Sequence, residues 1–220
     1  SLKERAYVEQ VYRYLAVKVE RLCREEDFSS EDIQKLSALL VDTYFCNFSV
    51  FQSLPDAWAI DQLFPVMPIH CLDKEPKRKA KIVDLSCDRD GTIEKFIAKE
   101  GTSSHLMLHE LLKNKPYYIG VFLVGAYQEA LGGLHNLFGD TNAIHIDLHE
   151  DETWRFKNLI EGDTIKEILH YMQYDEEQFR SQLHHLTENS VIKKRISNEE
   201  ALMIKKKYKS SFENYTYLLV

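Results

Sequence analysis

Cys87 lies in the run Ser86-Cys87-Asp88-Arg89-Asp90-Gly91, just after an apolar stretch. A thiol can deliver a proton to a reacting carbon. Two carboxylates beside it can hold an ammonium or, in bidentate fashion, a guanidinium group. A second apolar stretch ends in Val124-Gly125-Ala126-Tyr127-Gln128-Glu129. Small residues there let a ligand approach the backbone, and the Tyr127 hydroxyl can reach a phosphate. Each residue also has a plainer reading. Cysteine is often a small buried hydrophobe, Asp88 and Asp90 suit a turn, and Tyr127 suits a core with its hydroxyl satisfied. His145, Asp147 and His149 recur with period two on one strand face, where they could hold a divalent metal, with His135 and Asp140 nearby in sequence. The alternative is a polar edge facing solvent. No glycine-rich phosphate loop, Walker motif, Gly-x-Ser-x-Gly elbow or His-Glu-x-x-His is present. Composition and spacing alone assemble no complete active site.

The elements that must position these groups fall into three stretches. Val8, Val11, Tyr12, Leu15, Val19 and Leu22 follow helical spacing. Ser29 or Ser30 can cap a second helix carrying Ile33, Leu36, Leu39 and Leu40. Residues 1–42 therefore read as a helical segment. Residues 43–160 read as one β domain. Thr43–Gln52 has the aromatic and branched content of a strand. Lys81–Ser86 and Tyr118–Val124 are short apolar runs of the kind covered on both faces. Ala143–His149 alternates strictly. Residues 161–220 read as helices with a short closing strand at Tyr215–Leu219. Asp163 can cap the first of these helices, and Asp175 with Gln178 forms a capping-box pattern for the second. The expected class is α+β: an N-terminal helical segment, a central β-barrel or sandwich-like domain, and C-terminal helices.

Bulk properties narrow the partners. The 220 residues carry a formal charge of −7, and each basic run has acidic neighbours, which argues against nucleic acid. No apolar run is long enough to span a membrane. The four cysteines lack Cys-x-x-Cys spacing, and their scatter suggests free thiols in a reducing, cytoplasmic setting. The chain enters a helical pattern at Ser1, as the middle of something larger would.

Several ordered motifs resemble the biosynthetic arginine decarboxylase family. They begin with Asn47-Phe48-Ser49-Val50-Phe51-Gln52-Ser53-Leu54-Pro55-Asp56-Ala57-Trp58 and the segment from Ile60 to Pro68. Cys87-Asp88-Arg89-Asp90-Gly91 matches the family's Cys-Asp-x-Asp-Gly. The longest runs are from Gly120 to Glu129 and from Leu134 to Thr141, followed by Gly162-Asp163-Thr164 and Tyr215-Thr216-Tyr217-Leu218. The resemblance covers residues 40–220, and residues 1–40 fit by position and helical character. It implies a pyridoxal-phosphate enzyme of the alanine-racemase-like fold type, with a β/α barrel, an inserted helical bundle and a C-terminal β domain followed by helices. It implies conversion of L-arginine to agmatine and carbon dioxide on the way to putrescine and spermidine, an association with magnesium, and active sites shared between subunits of a homodimer or larger homo-oligomer. By motif, Cys87 resembles the thiol that protonates the carbon left after decarboxylation. Asp88 resembles the neighbouring acid that reaches the distal cation of the substrate across the dimer interface, with Asp90 a second candidate. Tyr127 resembles the tyrosine on the cofactor phosphate.

Two departures sharpen that resemblance. Ornithine-type relatives carry Asn-Asp-Gly where this chain has Asn47-Phe48-Ser49, so the aspartate they use for a short diamine is missing, which favours a longer substrate. Nothing in the chain resembles the barrel segment with the cofactor-binding lysine. The expectation is a C-terminal portion of the enzyme that, by itself, neither holds the cofactor covalently nor decarboxylates arginine. Two competing readings are a non-catalytic binding or regulatory module of the same fold, and a metal-dependent β protein using His145, Asp147 and His149.

Overall fold

The computed structural model describes every residue except Asp27, Ser29, Glu152 and Val220. Mixed helix and strand confirm the α+β class. The chain divides into two compact units that interleave in sequence: residues 1–46, 60–84 and 92–124 form the first, and residues 47–59, 85–91 and 125–220 the second. Residues 43–160 thus contribute segments to both.

In the first unit, α1 (Leu2–Glu25) and α2 (Glu31–Leu39) make the expected helical pair. The Ser30 hydroxyl caps α2 by accepting the Ile33 N–H at 3.3 Å. The other candidate cap, Ser29, lies outside the described residues. The apolar stripe of α1 stays largely uncovered, with Ala16 buried but Leu15 53% exposed. Next comes a small sheet built on β3 (Arg78–Val83). It pairs in parallel with β1 (Asp42–Phe45) and antiparallel with β4 (Thr92–Ile93) and β7 (Leu106–Leu108). Tyr44, Ala80 and Leu108 from three of these strands form the buried core. The Tyr44 hydroxyl donates to the His109 carbonyl at 2.7 Å, so its polar tip is satisfied as its ring is buried. Asp42 draws Arg13 of α1 and Arg78 of β3 to the sheet edge. Two further antiparallel pairs complete the unit: β2 (Val66–Pro68) with β8 (Ile119–Val121), and β5 (Phe96–Ala98) with β6 (Gly101–Ser103).

The closed barrel that was one expectation is not what these strands make. Among the described residues they form one four-stranded sheet and three two-stranded ones, and no closed barrel. Strands of two to seven residues offer too little edge to close on one another here. The expected strand over Thr43–Gln52 is also cut short. After β1 the Ser49 hydroxyl accepts the Gln52 N–H, and α3 (Val50–Ser53) buries Val50, Phe51 and Gln52 as a helical turn. Pro55 then opens α4 (Pro55–Ala59), where its missing N–H costs nothing.

The second unit also holds a 3-10 turn at Arg89–Gly91, α5 (Ala126–Ala130) and a second 3-10 turn at His135–Leu137. An antiparallel hairpin follows, made of β9 (Ala143–Leu148) and β10 (Trp154–Ile160). Leu148 opposes Trp154, Ile146 opposes Phe156, and a bulge precedes the pair Ile144 and Leu159. Three helices end the chain: α6 (Ile165–Tyr171), α7 (Glu176–Ile192) and α8 (Asn198–Ser211). Thr164, not Asp163, caps α6, in a reciprocal box with Glu167. Asp163 is diverted because its carboxylate accepts the Asp140 N–H at 2.7 Å. Asp175 caps α7 as expected, through the Glu177 N–H, though without a box to Gln178. Ser197 and Glu200 form the box that starts α8. Among the described residues the closing segment makes one bridge, Tyr215 to Thr164, in place of a strand. Side chains fasten it instead. Asn47 both donates to and accepts from the Leu218 backbone, and the Tyr217 hydroxyl donates to the Gly139 carbonyl at 2.9 Å.

Candidate functional site

Cys87, Asp88, Asp90 and Tyr127 all belong to the second unit. Backbone hydrogen bonds fix the loop that carries the first three. The Leu85 N–H donates to the Phe48 carbonyl at 3.1 Å, and the Gly91 N–H to the Asp88 carbonyl at 3.2 Å. One Asp88 carboxylate oxygen accepts the Asp90 N–H at 3.0 Å, so the turn chemistry expected of these aspartates is present. The Cys87 side chain is exposed in this chain, not packed as a small buried hydrophobe. Among the described residues no hydrogen bond or ion pair engages the Asp90 carboxylate, leaving it the less committed of the two acids.

A second loop meets this one. Gly132 makes that approach possible, since a Cβ there would fall 2.5 Å from the Gln52 carbonyl oxygen. The Gly133 N–H then donates to the Phe51 carbonyl at 2.9 Å. The chain next enters the His135–Leu137 turn with Asn136 and Leu137 in the left-handed region, at φ 56° and 62°. His135 Nε2 lies 3.5 Å from the second Asp88 carboxylate oxygen. Its ring rests on the buried Phe51, centroids 4.1 Å apart. The Asn136 amide donates to Cys87 Sγ at 3.3 Å. Adjacent residues of one loop thus hold adjacent residues of the other.

Neither His135 nor Asn136 figured as a partner of Asp88 or Cys87 in the sequence. His135 entered only as a possible metal ligand. The available signal was their place in the run Leu134–Thr141, which carries the family resemblance.

Tyr127 points outward, 78% exposed, because its neighbour Gln128 anchors α5 inward. Gln128 is buried, donates to the Asp56 carboxylate at 2.6 Å, and accepts the Asp56 N–H at 3.1 Å. Within this chain Tyr127 is not a core residue. Among the described residues its hydroxyl has no hydrogen-bond partner, and a Cβ on Gly125 would meet nothing within 4 Å. A free phenol beside open backbone can donate a hydrogen bond to an anionic group.

The metal reading loses its support. His145, Asp147 and His149 keep their alternation at the hairpin, but Asp147 is occupied by Arg155 at 3.4 Å and Lys157 at 3.8 Å. Asp140 accepts from the Gln52 amide and is pushed above the usual carboxylate range, first by burial and then by the nearby Asp163 charge. No group of three His, Cys, Asp or Glu side chains among the described residues could hold a metal ion. Among those residues, too, no helix is long and apolar enough to cross a membrane.

Comparison with known proteins agrees with the motifs. Residues 165–218 match the family described as the arginine decarboxylase C-terminal helical extension. The chain is 46% identical to the biosynthetic arginine decarboxylase of Gloeobacter violaceus over 222 residues, covering 99% of this chain and 34% of that protein. It is 44% identical to the Bacteroides thetaiotaomicron enzyme, at 99% and 34% coverage. The crystal structure of the biosynthetic arginine decarboxylase SpeA from Campylobacter jejuni superposes with a TM-score of 0.70 at 29% identity, over 96% of this chain and 38% of that one. The chain spans about a third of the length of the curated relatives it matches. In sequence and in fold, it matches the C-terminal portion of the biosynthetic arginine decarboxylases.

Proposed function

We propose that this chain supplies the proton-donating and substrate-holding part of an L-arginine decarboxylase that forms agmatine and carbon dioxide. The observation that carries the reading is the exposed Cys87–Asp88 pair, clamped by His135 and Asn136, in a chain that matches arginine decarboxylases from end to end. Pyridoxal phosphate, when bound, supplies the electron sink for loss of the carboxylate. The rest is the work of this chain. Cys87 delivers a proton to the carbon that lost carbon dioxide and is left as a thiolate. Asp88, its orientation fixed by the Asp90 N–H and by His135, and Asp90, whose carboxylate is uncommitted, are the acceptors for the distal guanidinium. Phe48 stands where ornithine-type relatives place an aspartate, which suits a substrate longer than a diamine precursor. Tyr127 donates its hydroxyl to the cofactor phosphate. The complete enzyme is a cytoplasmic homodimer or larger homo-oligomer with sites shared between subunits, and magnesium is a further expected component.

The purified 220-residue chain, given pyridoxal phosphate and arginine, is expected to release no agmatine, whereas the full-length protein containing this sequence releases it. Agmatine from the chain alone would overturn the division of labour. A full-length protein inactive on arginine would overturn the substrate. In that full-length protein Tyr127→Phe is expected to weaken cofactor retention about tenfold, the worth of one charge-assisted hydrogen bond. An unchanged cofactor dissociation constant would remove Tyr127 from the phosphate site.

A further inference from the structure

We propose that Asn136 is a positioning residue for the Cys87 thiol, holding its sulfur by a donated amide N–H so that the S–H points away toward the reacting carbon. This deepens the reading of Cys87 as proton donor and rests on it. Two observations carry the inference together. The Asn136 amide donates to Cys87 Sγ at 3.3 Å. The backbone that aims it is held at φ 56°, in a region that L residues enter at a cost. Asparagine is tolerated in that region, but so is glycine, and the turn alone does not call for an amide. A sulfur that accepts along this direction keeps its own hydrogen for another. After the proton has gone to carbon, the same N–H stabilises the thiolate left behind. His135, just before it in the chain, fixes the neighbouring Asp88 carboxylate at 3.5 Å and is itself fixed by Phe51, so the amide reaches the thiol from a supported loop.

The test uses the 220-residue chain and iodoacetamide at one fixed pH. Alkylation is followed on the tryptic peptide 82–89, in which Cys87 is the only cysteine. Asn136→Gly removes the amide and suits the left-handed backbone. Asn136→Asp keeps the shape and replaces the donor with a negative acceptor. The expected rates fall about threefold in Asn136→Gly, and further in Asn136→Asp, because each makes the reactive thiolate harder to form. A rate in Asn136→Gly equal to or above the wild type would overturn the proposal and leave Asn136 a backbone residue. An Asn136→Asp rate no lower than that of Asn136→Gly would also overturn it. The readout needs neither cofactor nor substrate. A failure of Cys87 as proton donor, read from products of the full-length protein, is therefore distinguishable from a failure of Asn136 to act on the thiol.

Discussion

If the proposed decarboxylation is right, Cys87→Ala in the full-length protein is expected to slow formation of agmatine by about a hundredfold or more, the usual worth of a placed general acid. The reason is local. Cys87 is exposed on a loop that hydrogen bonds hold from both sides, and its sulfur faces a donor. Alanine leaves no group there that can release a proton. On the proposed reading, proton delivery would then fall to water, and some substrate would leave as an aldehyde, by hydrolysis, in place of the amine. Two quantities decide the matter: the turnover rate and the ratio of amine to aldehyde among the products. Slower turnover with an unaltered ratio would mean that the thiol merely supports the loop. Unchanged turnover would dismiss it from the chemistry altogether.

Phe51→Ala should produce the largest loss of stability around the site, about 3–5 kcal/mol. Phe51 is 6% exposed, packs against His135 with ring centroids 4.1 Å apart, and meets Trp58 at 5.3 Å. Truncation removes its buried area and leaves a cavity under the His135 ring. The loop that steadies Asp88 and Cys87 then loses its platform. Denaturant unfolding of the 220-residue chain measures the effect, with Phe51→Leu as the milder comparison. A loss below about 1 kcal/mol would show that the site loops do not depend on this ring. With the loss as expected, iodoacetamide labelling of Cys87 should also change, since Asn136 follows directly on the destabilised His135.

Much of the local structure was legible because it depends on near neighbours. The spacing of Val8, Val11, Leu15 and Val19 identified α1, and the strict alternation after Ala143 identified β9. Asp175 was recognisable as a cap for the same reason, since capping reaches only to the next turn. The misreadings came where a short-range signal met a longer-range competitor. Val50-Phe51 has strand composition, yet Ser49 caps it into a helical turn that buries both side chains. Asp163 has a capping side chain, but the Asp140 N–H claims it from 23 residues away, and Thr164 takes the cap instead. The barrel expectation needed the edges of several strands to meet, and edge pairing is not written in any one strand.

The site divides along the same line. Residue type and order alone named Cys87, Asp88, Asp90 and Tyr127, because a thiol beside carboxylates and a tyrosine on small residues have recognisable chemistry wherever they sit. Sequence also set the Asp175 cap of α7 and the α+β class. Only the tertiary structure could show that Cys87 and Tyr127 are exposed rather than buried. It alone paired His135 with Asp88 and Asn136 with Cys87, which lie 47 and 49 residues apart. Hydrogen bonds between loops depend on where the chain returns to itself. That return is governed here by Gly132 against the Gln52 carbonyl and by the burial of Phe51, and neither leaves a periodic mark in the sequence.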